Sequence, residues 1–251
     1  MVATMTAVAI IVSARPDMLA VCRAALTRFA PWLPIRVVAT SPEVRRWSEL
    51  GNEECLCLPD AGQGAADHAA GIEYARAAGV AKDADLVILL DDDTVILSDR
   101  WWPWIETAFA VSPRLGILGG VRSRGLIGQA YVEGVLLVHA HMMALRGDLF
   151  RRVSTFHAQP EVGIGYQRLD TGAVACFEAS LGGLEVRPVP FHEPGRGPLY
   201  GGPLKGFGPV PAKAEGAHVS YDLIVLPIDA AEYFAPPETE HSLWAHLGRG
   251  T

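Results

Sequence analysis

The chain has 251 residues, of which 50% are hydrophobic and 20% are charged, and its net charge is −7 at pH 7. This size and composition predict one α/β domain with a sizeable core and exclude a chain that is disordered throughout. The acidic balance and the lack of any basic run argue against nucleic acid as a partner. The four cysteines include no CxxC pair, so we expect reduced thiols rather than a structural zinc site.

The N-terminal stretch MVATMTAVAIIVSARP has no basic segment before its short apolar run. It therefore predicts a buried strand rather than a signal peptide. No apolar run in the sequence reaches the roughly 18 to 20 residues that span a bilayer. We expect a cytoplasmic protein without a transmembrane segment, and peripheral contact with a membrane is left open.

Strands and helices are expected to alternate in the first part of the chain. The predicted strands are AVAIIVSA, IRVVATS, ECLCLP and DLVILLDDD, and helices begin at Pro16 and Pro42 and cover 65–79. Gly79 is predicted to end the third of these helices. This alternation favours a central, mostly parallel sheet flanked by helices.

The second part of the chain is predicted to be more mixed. Expected elements are a helix in RWWPWIETAFA, a strand in LGILGGVRS, a strand leading into a helix in AYVEGVLLVHAHMMALRGDLFRRV, a helix over 169–183, a strand in LEVRPVPFH and an added strand in YDLIVLPI. Residues 193–213 are dominated by glycine and proline, which is typical of a binding loop or lid. The tail from Pro236 is predicted to be poorly ordered or loosely docked.

Three consecutive carboxylates, Asp91, Asp92 and Asp93, directly follow five apolar residues. Adjacent like charges repel, so a compensating cation is expected. Ligands of open α/β sheets bind beyond the carboxyl ends of the strands, where this cluster lies. Side chains alternate along a strand, so Asp91 and Asp93 would face the crevice and Asp92 would face away. Carboxylate oxygens suit Mg²⁺ or Mn²⁺, while a solvated, helix-capping acidic cluster is the alternative.

A rival motif also places acids after an apolar strand. Phosphatases of the haloacid-dehalogenase type use D-x-D-x-T, but here Thr94 stands one position too early. That motif also usually follows the first strand, whereas this strand is about the fourth. The sequence therefore disfavours this class.

The order of segments resembles that of GT-A glycosyltransferases, closest to the family-2 type. The resemblance rests on AIIVSARP (9–16), a glycine-bearing loop, an alanine-rich helix, VILLDDD (87–93), HAHMMALRGDLFRRV (139–153) and LDTGAVACFEASLGGLEVRPVPFH (169–192). It covers about residues 6–192. It implies a single Rossmann-like GT-A domain over 1–235, with a nucleotide-binding half at about 1–98, an acceptor half at 99–235 and a C-terminal tail at 236–251.

The resemblance implies that a nucleotide-sugar donor, such as a UDP- or GDP-sugar, is bound by residues of the first half. The implied contacts are Ser13, Ala14, Arg15, Asp60, Gln63, Gly64, His68, Asp91 and Asp92. The first three would lie near the base or ribose, the loop residues near the nucleobase, and His68 near the pyrophosphate. Asp91 would contact the ribose, with Asp92 either a further ribose contact or a solvated neighbour.

The resemblance also implies a metal site and a general base. Asp93, with Asp91 and His192, would hold Mn²⁺ or Mg²⁺, although His192 could instead hydrogen-bond at the base of the loop. Asp170 would deprotonate an acceptor hydroxyl, which implies direct displacement with inversion. A bound divalent cation suits a diphosphate leaving group. No Q-x-x-R-W motif follows, so a non-processive enzyme is expected.

One departure from the family pattern, at Leu169, keeps other functions open. Leu169 stands where the family usually has an acid, so Asp170 could instead cap a helix that begins near Thr171. A non-catalytic nucleotide-sugar-binding protein of the same fold is one alternative. A nucleotidyltransferase is the other, although SARPDMLAV lacks the glycine-rich loop expected after its first strand.

Aromatic and basic side chains offer further candidates for substrate contacts. The Trp101, Trp102 and Trp104 side chains could stack on a sugar or pack at the start of a helix. Arg196, Tyr200 and Lys205 lie in the glycine- and proline-rich loop. They could close over a diphosphate, or the loop could be a plain connector.

Overall fold

The computed structural model describes residues 5–49, 55–58, 65–92, 94–96, 101–120, 131–132, 135–157, 159–164, 167–169, 171–189 and 222–224. The helices are α1 (Pro16–Phe29), α2 (Pro42–Glu49), α3 (Ala65–Ala77), α4 (Trp101–Val111), α5 (Gly147–Arg152) and α6 (Ala173–Leu181). The strands are β1 (Ala7–Ser13), β2 (Ile35–Ala39), β3 (Cys55–Cys57), β4 (Leu86–Asp91), β5 (Thr94–Ile96), β6 (Leu115–Gly120), β7 (Tyr131–Val132), β8 (Val135–Leu136), β9 (His139–Arg146), β10 (Gln159–Ile164), β11 (Gln167–Leu169), β12 (Glu185–Val189) and β13 (Asp222–Ile224).

Within the described residues, seven strands form one sheet in the order β12-β6-β9-β4-β1-β2-β3. The pairs β1–β2, β2–β3, β1–β4 and β6–β12 are parallel, and β9 is antiparallel to both of its neighbours. The predicted α/β class with a mostly parallel sheet is confirmed. The order β3-β2-β1-β4 brings the carboxyl ends of β1 and β4 side by side, since Val12 pairs with Asp91.

Apolar side chains from both faces of the sheet form the core. One cluster joins the sheet to α1, α2 and α4, and the other joins it to α3, α5 and α6. Strand β4 is buried from Leu86 to Leu90, which explains its continuous apolar run. The site at its end is therefore carried by a central strand packed on both faces.

Most predicted elements are found close to their expected positions. Gly79 ends α3 with a φ of 74°, and the hydrogen bonds Val80 N–H to Ala75 O and Gly79 N–H to Arg76 O form a Schellman motif, as predicted. The helix expected over 169–183 is shorter than predicted. Leu169 belongs to a hairpin in which it pairs with Gln159, so α6 begins only at Ala173. The added strand in YDLIVLPI is confirmed as β13, which pairs with β5.

The tryptophans of α4 are core residues. Trp101, Trp102 and Trp104 are at most 5% exposed and belong to the cluster that packs on α1. Trp102 also makes an edge contact with Trp32, with ring centroids 4.9 Å apart. The hypothesis that they stack on a sugar is wrong, and the packing alternative is confirmed.

The four cysteines form no disulfide bond, and the Cys22 and Cys176 side chains are buried. Burial raises the pKa of the Cys176 thiol from 9.0 to about 12, because the thiolate cannot be solvated there. This thiol is therefore protonated at physiological pH and acts as a small packing group. In the described part of the chain, no helix is long and apolar enough to cross a membrane.

Arg146 joins the end of β9 to the C-terminal end of α4. Its guanidinium donates to the carbonyl oxygen of Phe109, in the last turn of α4, at 3.4 Å. It also donates to three carbonyl oxygens that follow the helix, those of Ser112 at 3.2 Å, Pro113 at 3.1 Å and Leu115 at 2.7 Å. Carbonyls at the end of a helix lack intrahelical partners, so a cation placed there satisfies them. The arginine in the segment that resembles glycosyltransferases thus has a structural role here.

We expect Arg146→Met to lower the free energy of unfolding by about 2 kcal/mol, since charged hydrogen bonds to several carbonyls are lost. Chemical denaturation of the purified variant measures this change. Arg152→Met is the matched control, because Arg152 makes only an exposed pair with Asp148 at 3.4 Å. Equal stability of the two variants would contradict the capping role.

Candidate functional site

The candidate site lies where the carboxyl ends of β1 and β4 meet the first turn of α3. Three described side chains from separate parts of the chain converge on Asp91 and Asp92, which follow the buried run of β4. They are Ser13, the last residue of β1, Arg15, two residues further on, and His68, in the first turn of α3. These contacts bring together residues that the sequence analysis assigned to a donor site.

Asp91 is the last residue of β4, and its side chain is 35% exposed. His68 Nε2 lies 2.8 Å from Asp91 Oδ1, and the His68 side chain is 16% exposed. The imidazole therefore lies directly against the carboxylate at the carboxyl edge of the sheet. The structure thus pairs the residue predicted to face the pyrophosphate with the residue predicted to contact ribose and metal.

Asp92 lies in the turn after β4 and is only 7% exposed. Ser13 Oγ donates to Asp92 Oδ2 at 2.8 Å, and the Arg15 guanidinium donates to Asp92 Oδ1 at 2.7 Å. The expectation that Asp92 is solvated is wrong. Its carboxylate is turned into the protein, where each of its two oxygens accepts a hydrogen bond.

The backbone that carries Ser13, Ala14 and Arg15 is tied to the neighbouring β2–α2 loop. Thr40 N–H donates to Ser13 O at 2.9 Å, and Ser41 Oγ donates to Ala14 O at 2.8 Å. Ser41 Oγ also accepts from Val44 N–H at 3.2 Å, which caps α2 as the sequence predicted. These hydrogen bonds therefore fix the backbone at the end of β1. Arg15 lies directly before the first residue of α1.

Part of the predicted site lies outside the described residues. This holds for Asp60, Gln63, Asp93, Asp170 and His192, and for the glycine- and proline-rich loop with Arg196, Tyr200 and Lys205. Among the residues that the structure describes, no three His, Cys, Asp or Glu side chains cluster as a metal site. Asp91 still fits as one ligand, because it places a hard carboxylate oxygen donor at the exposed rim.

The start of α6 differs from the expected start near Thr171. The N-cap position of α6 is occupied by Gly172, with a φ of 86°, and the helix begins at Ala173. The turn before α6 is anchored, since Gly172 N–H donates to Phe156 O at 3.3 Å and Thr171 is 5% exposed. Asp170 is therefore not at the N-cap position, and its side chain lies outside the described residues.

The link between Asp92 and the end of β1 is not among the contacts predicted from the sequence. Ser13 and Asp92 are 79 positions apart, so no local pattern joins them. The available signal was topological: in doubly wound sheets the first and fourth strands are neighbours, which places the residues after them side by side. The same reasoning would have paired Asp92 with Arg15.

No protein-family model and no curated protein matches the chain. Among solved structures, it is similar to glucosyl-3-phosphoglycerate synthase from Mycobacterium tuberculosis, with 14% identity, 59% of each chain covered and a TM-score of 0.42. It is also similar to CMP:2-keto-3-deoxy-manno-octonic acid synthetase, with 12% identity, 73% of this chain and 88% of that chain covered, and a TM-score of 0.45. For the bifunctional IspDF from Campylobacter jejuni, the identity is 12%, the covered shares are 73% and 49%, and the TM-score is 0.44.

The chain thus covers less than two thirds of the length of the first of these structures. At such identities and TM-scores the likeness carries no information on chemistry.

Proposed function

We propose that the chain is a metal-dependent glycosyltransferase of the GT-A type, which moves a sugar from a nucleotide-diphosphate sugar to an acceptor hydroxyl. The observation that carries this proposal is the pair of acids at the carboxyl end of β4. Asp91 is partly exposed and lies against His68, and Asp92 is buried and accepts hydrogen bonds from Ser13 and Arg15. A carboxylate fixed at this edge of a mostly parallel sheet is placed where ligands bind in open α/β folds.

The residues of the first half, 1–98, would bind the donor. Asp91 fits as a ligand of Mn²⁺ or Mg²⁺ or as a ribose contact, with Asp93 and His192 proposed as further metal ligands. When bound, the divalent cation would supply charge neutralisation for the diphosphate leaving group. His68 would orient Asp91 and face the pyrophosphate, while Asp60 and Gln63 would approach the nucleobase.

The residues of the second half, 99–235, would bind the acceptor. Asp170 is proposed to accept the proton of the acceptor hydroxyl as that oxygen attacks the anomeric carbon. A base on the side opposite the leaving diphosphate implies an inverting transfer. The fold alone does not define the acceptor or the transferred sugar, so a screen of candidate substrates is the way to identify them.

A thermal-shift screen with nucleoside diphosphates tests the proposal. We expect UDP or GDP at about 100 times its Kd to stabilise the protein by about 2.7 kcal/mol with Mn²⁺, but not with EDTA. For a chain of this size that corresponds to a Tm increase of about 5 to 10 °C. Asp93→Ala should abolish the increase, whereas Asp83→Ala, at an exposed position, should preserve it.

Assays of the products separate the enzyme classes. Release of the nucleoside diphosphate from a UDP- or GDP-sugar supports a glycosyltransferase. Release of pyrophosphate from a nucleoside triphosphate with a sugar phosphate would instead indicate a nucleotidyltransferase. A metal-independent shift, or none with any nucleoside diphosphate, would refute the proposed donor site.

A further inference from the structure

We infer that Glu73 is a positioning residue for the acceptor side of the site: through the peptide groups of Phe156 it fixes the turn that contains Asp170 against α3. This inference rests on the proposed function, in which Asp170 accepts the proton of the acceptor hydroxyl. Helix α3 also carries His68, which lies against Asp91 on the donor side. Glu73 therefore sets the position of one half of the site relative to the other.

The first step concerns the contact between α3 and Phe156. Glu73 Oε1 accepts from Phe156 N–H at 2.7 Å, and the other carboxylate oxygen accepts from the Arg76 guanidinium. Arg76 also donates to Val153 O, and its guanidinium lies over the Phe156 ring, 5.7 Å from the ring centroid. The Glu73 and Arg76 side chains are each 20% exposed, and Phe156 is fully buried. Partly buried, charge-assisted hydrogen bonds therefore fix the segment after α5 to α3.

The second step concerns the backbone on either side of Asp170. Phe156 O accepts from the N–H of Gly172, two positions after Asp170, at 3.3 Å. Gln159 pairs with Leu169, directly before Asp170, in the hairpin of β10 and β11. The segment that α3 holds through Phe156 therefore contacts the chain both before and after the proposed base.

The third step concerns the consequence for the reaction. Reacting atoms have to be held about 3 to 3.5 Å apart, and a displacement of about 1 Å can lower the rate about 100-fold. His68 and Glu73 lie on the same helix, separated by about 7.5 Å along its axis. Because one contact faces the donor side and the other holds the acceptor side, α3 keeps the two sides in register. Loss of the Glu73 contact should therefore lower turnover and leave donor affinity unchanged.

Two substitutions at Glu73 test the positioning role. Glu73→Met keeps a side chain of similar length but removes both acceptor oxygens, whereas Glu73→Gln keeps one oxygen for Phe156 N–H. Turnover is measured as release of nucleoside diphosphate, with water as the acceptor, from the UDP- or GDP-sugar that the wild-type protein cleaves fastest. Calorimetry with UDP or GDP and Mn²⁺ gives the donor-side Kd. We expect Glu73→Met to lower kcat about 10-fold or more with an unchanged Kd, and Glu73→Gln to retain most of kcat.

Hydrogen exchange of single backbone amides, followed by NMR, tests the same link without turnover. Glu73→Met should accelerate exchange at Phe156 and at Gly172 about 10-fold or more, since both amides belong to the hydrogen bonds that begin at Glu73. Arg76→Met removes the other contact between α3 and this segment and should change exchange and kcat in the same direction, even if Glu73→Met does not fold. Unchanged exchange at Gly172 in the folded variants would overturn the inference.

Glu178→Met is the matched control. Glu178, on α6, accepts from Ser154 N–H at 3.0 Å and from the Ser154 hydroxyl, so it holds the same segment at a different residue. It should accelerate exchange at Ser154 and leave kcat unchanged. An equal loss of kcat in Glu178→Met and Glu73→Met, or no loss in Glu73→Met, would show that Glu73 acts on stability alone.

The two proposals fail in different ways. If the wild-type protein releases no nucleoside diphosphate from any UDP- or GDP-sugar, the proposed function fails and the inference fails with it. Cleavage by the wild type with the wrong pattern of variants refutes the inference alone. A weaker Kd for UDP or GDP in Glu73→Met, with kcat unchanged, would place Glu73 on the donor side and would likewise refute it.

Discussion

Replacing Asp170 by asparagine is expected to lower sugar transfer by about 10²- to 10⁴-fold, which is the usual contribution of a positioned general base. Asparagine preserves the shape of the side chain but cannot accept the proton of the acceptor hydroxyl. Donor binding should persist, because the proposed donor contacts lie in the first half of the chain. The expected signature is a lower kcat with an unchanged donor Kd.

The residues around Asp170 favour this result over a loss of folding. The N-cap of α6 is Gly172, so the substitution removes no helix cap. Two hydrogen bonds also link the turn before α6 to α3 through Phe156. Glu73, on α3, accepts from Phe156 N–H at 2.7 Å, and Phe156 O accepts from Gly172 N–H at 3.3 Å. The backbone next to Asp170 is therefore held by α3, which also carries His68.

Transfer rates and donor affinity are measured on the same preparation, with thermal unfolding as a check on the fold. Asp148→Asn is the matched control, since Asp148 is exposed on α5 and pairs only weakly with Arg152. It should retain full activity. Full transfer activity in the Asp170 variant would remove this residue from the base role and would favour a non-catalytic protein or another base.

Gly147→Ala is expected to destabilise the fold by about 3 kcal/mol or more, because there is no room for a side chain. A Cβ at Gly147 would lie 1.9 Å from Ala84 O, which is a backbone atom that cannot move aside alone. The close approach is part of the fold: Gly147 N–H donates to Asp85 O at 2.7 Å, where β9 passes into α5 beside the start of β4. Relieving the overlap would separate these segments and break that hydrogen bond.

Thermal or chemical denaturation measures the loss, which corresponds to a Tm decrease of about 6 to 12 °C for a chain of this size. Gly79→Ala is the matched control. Gly79 has a positive φ but nothing within 4 Å of the added Cβ, so it should lose only the conformational cost of about 1 kcal/mol. Similar losses at the two positions would show that the backbone approach at Gly147 is not the cause.

Much of the fold follows from local patterns in the sequence. The continuous apolar run of β4 predicts a strand buried on both faces, and the alternation of strands and helices predicts a mostly parallel sheet. Gly79 marks the end of α3 because the Schellman motif needs a residue with positive φ. Each of these patterns extends over only a few neighbouring residues, because it depends on local backbone geometry and on the periodicity of the side chains. The start of α6 was misplaced because a hairpin partner, Gln159, lies ten positions away from Leu169.

The sequence by itself determined the α/β class, most of the elements and the placement of an acidic cluster at the end of a buried strand. Only the tertiary structure decided what each side chain of that cluster contacts. Asp92 is buried by Ser13 and Arg15, and Asp91 is held by His68, through contacts between parts of the chain that are distant in sequence. The α4 tryptophans became core residues, and Arg146 a helix cap, for the same reason. Periodicity fixes which face a side chain occupies, whereas its partner depends on which strands are neighbours and where each strand ends.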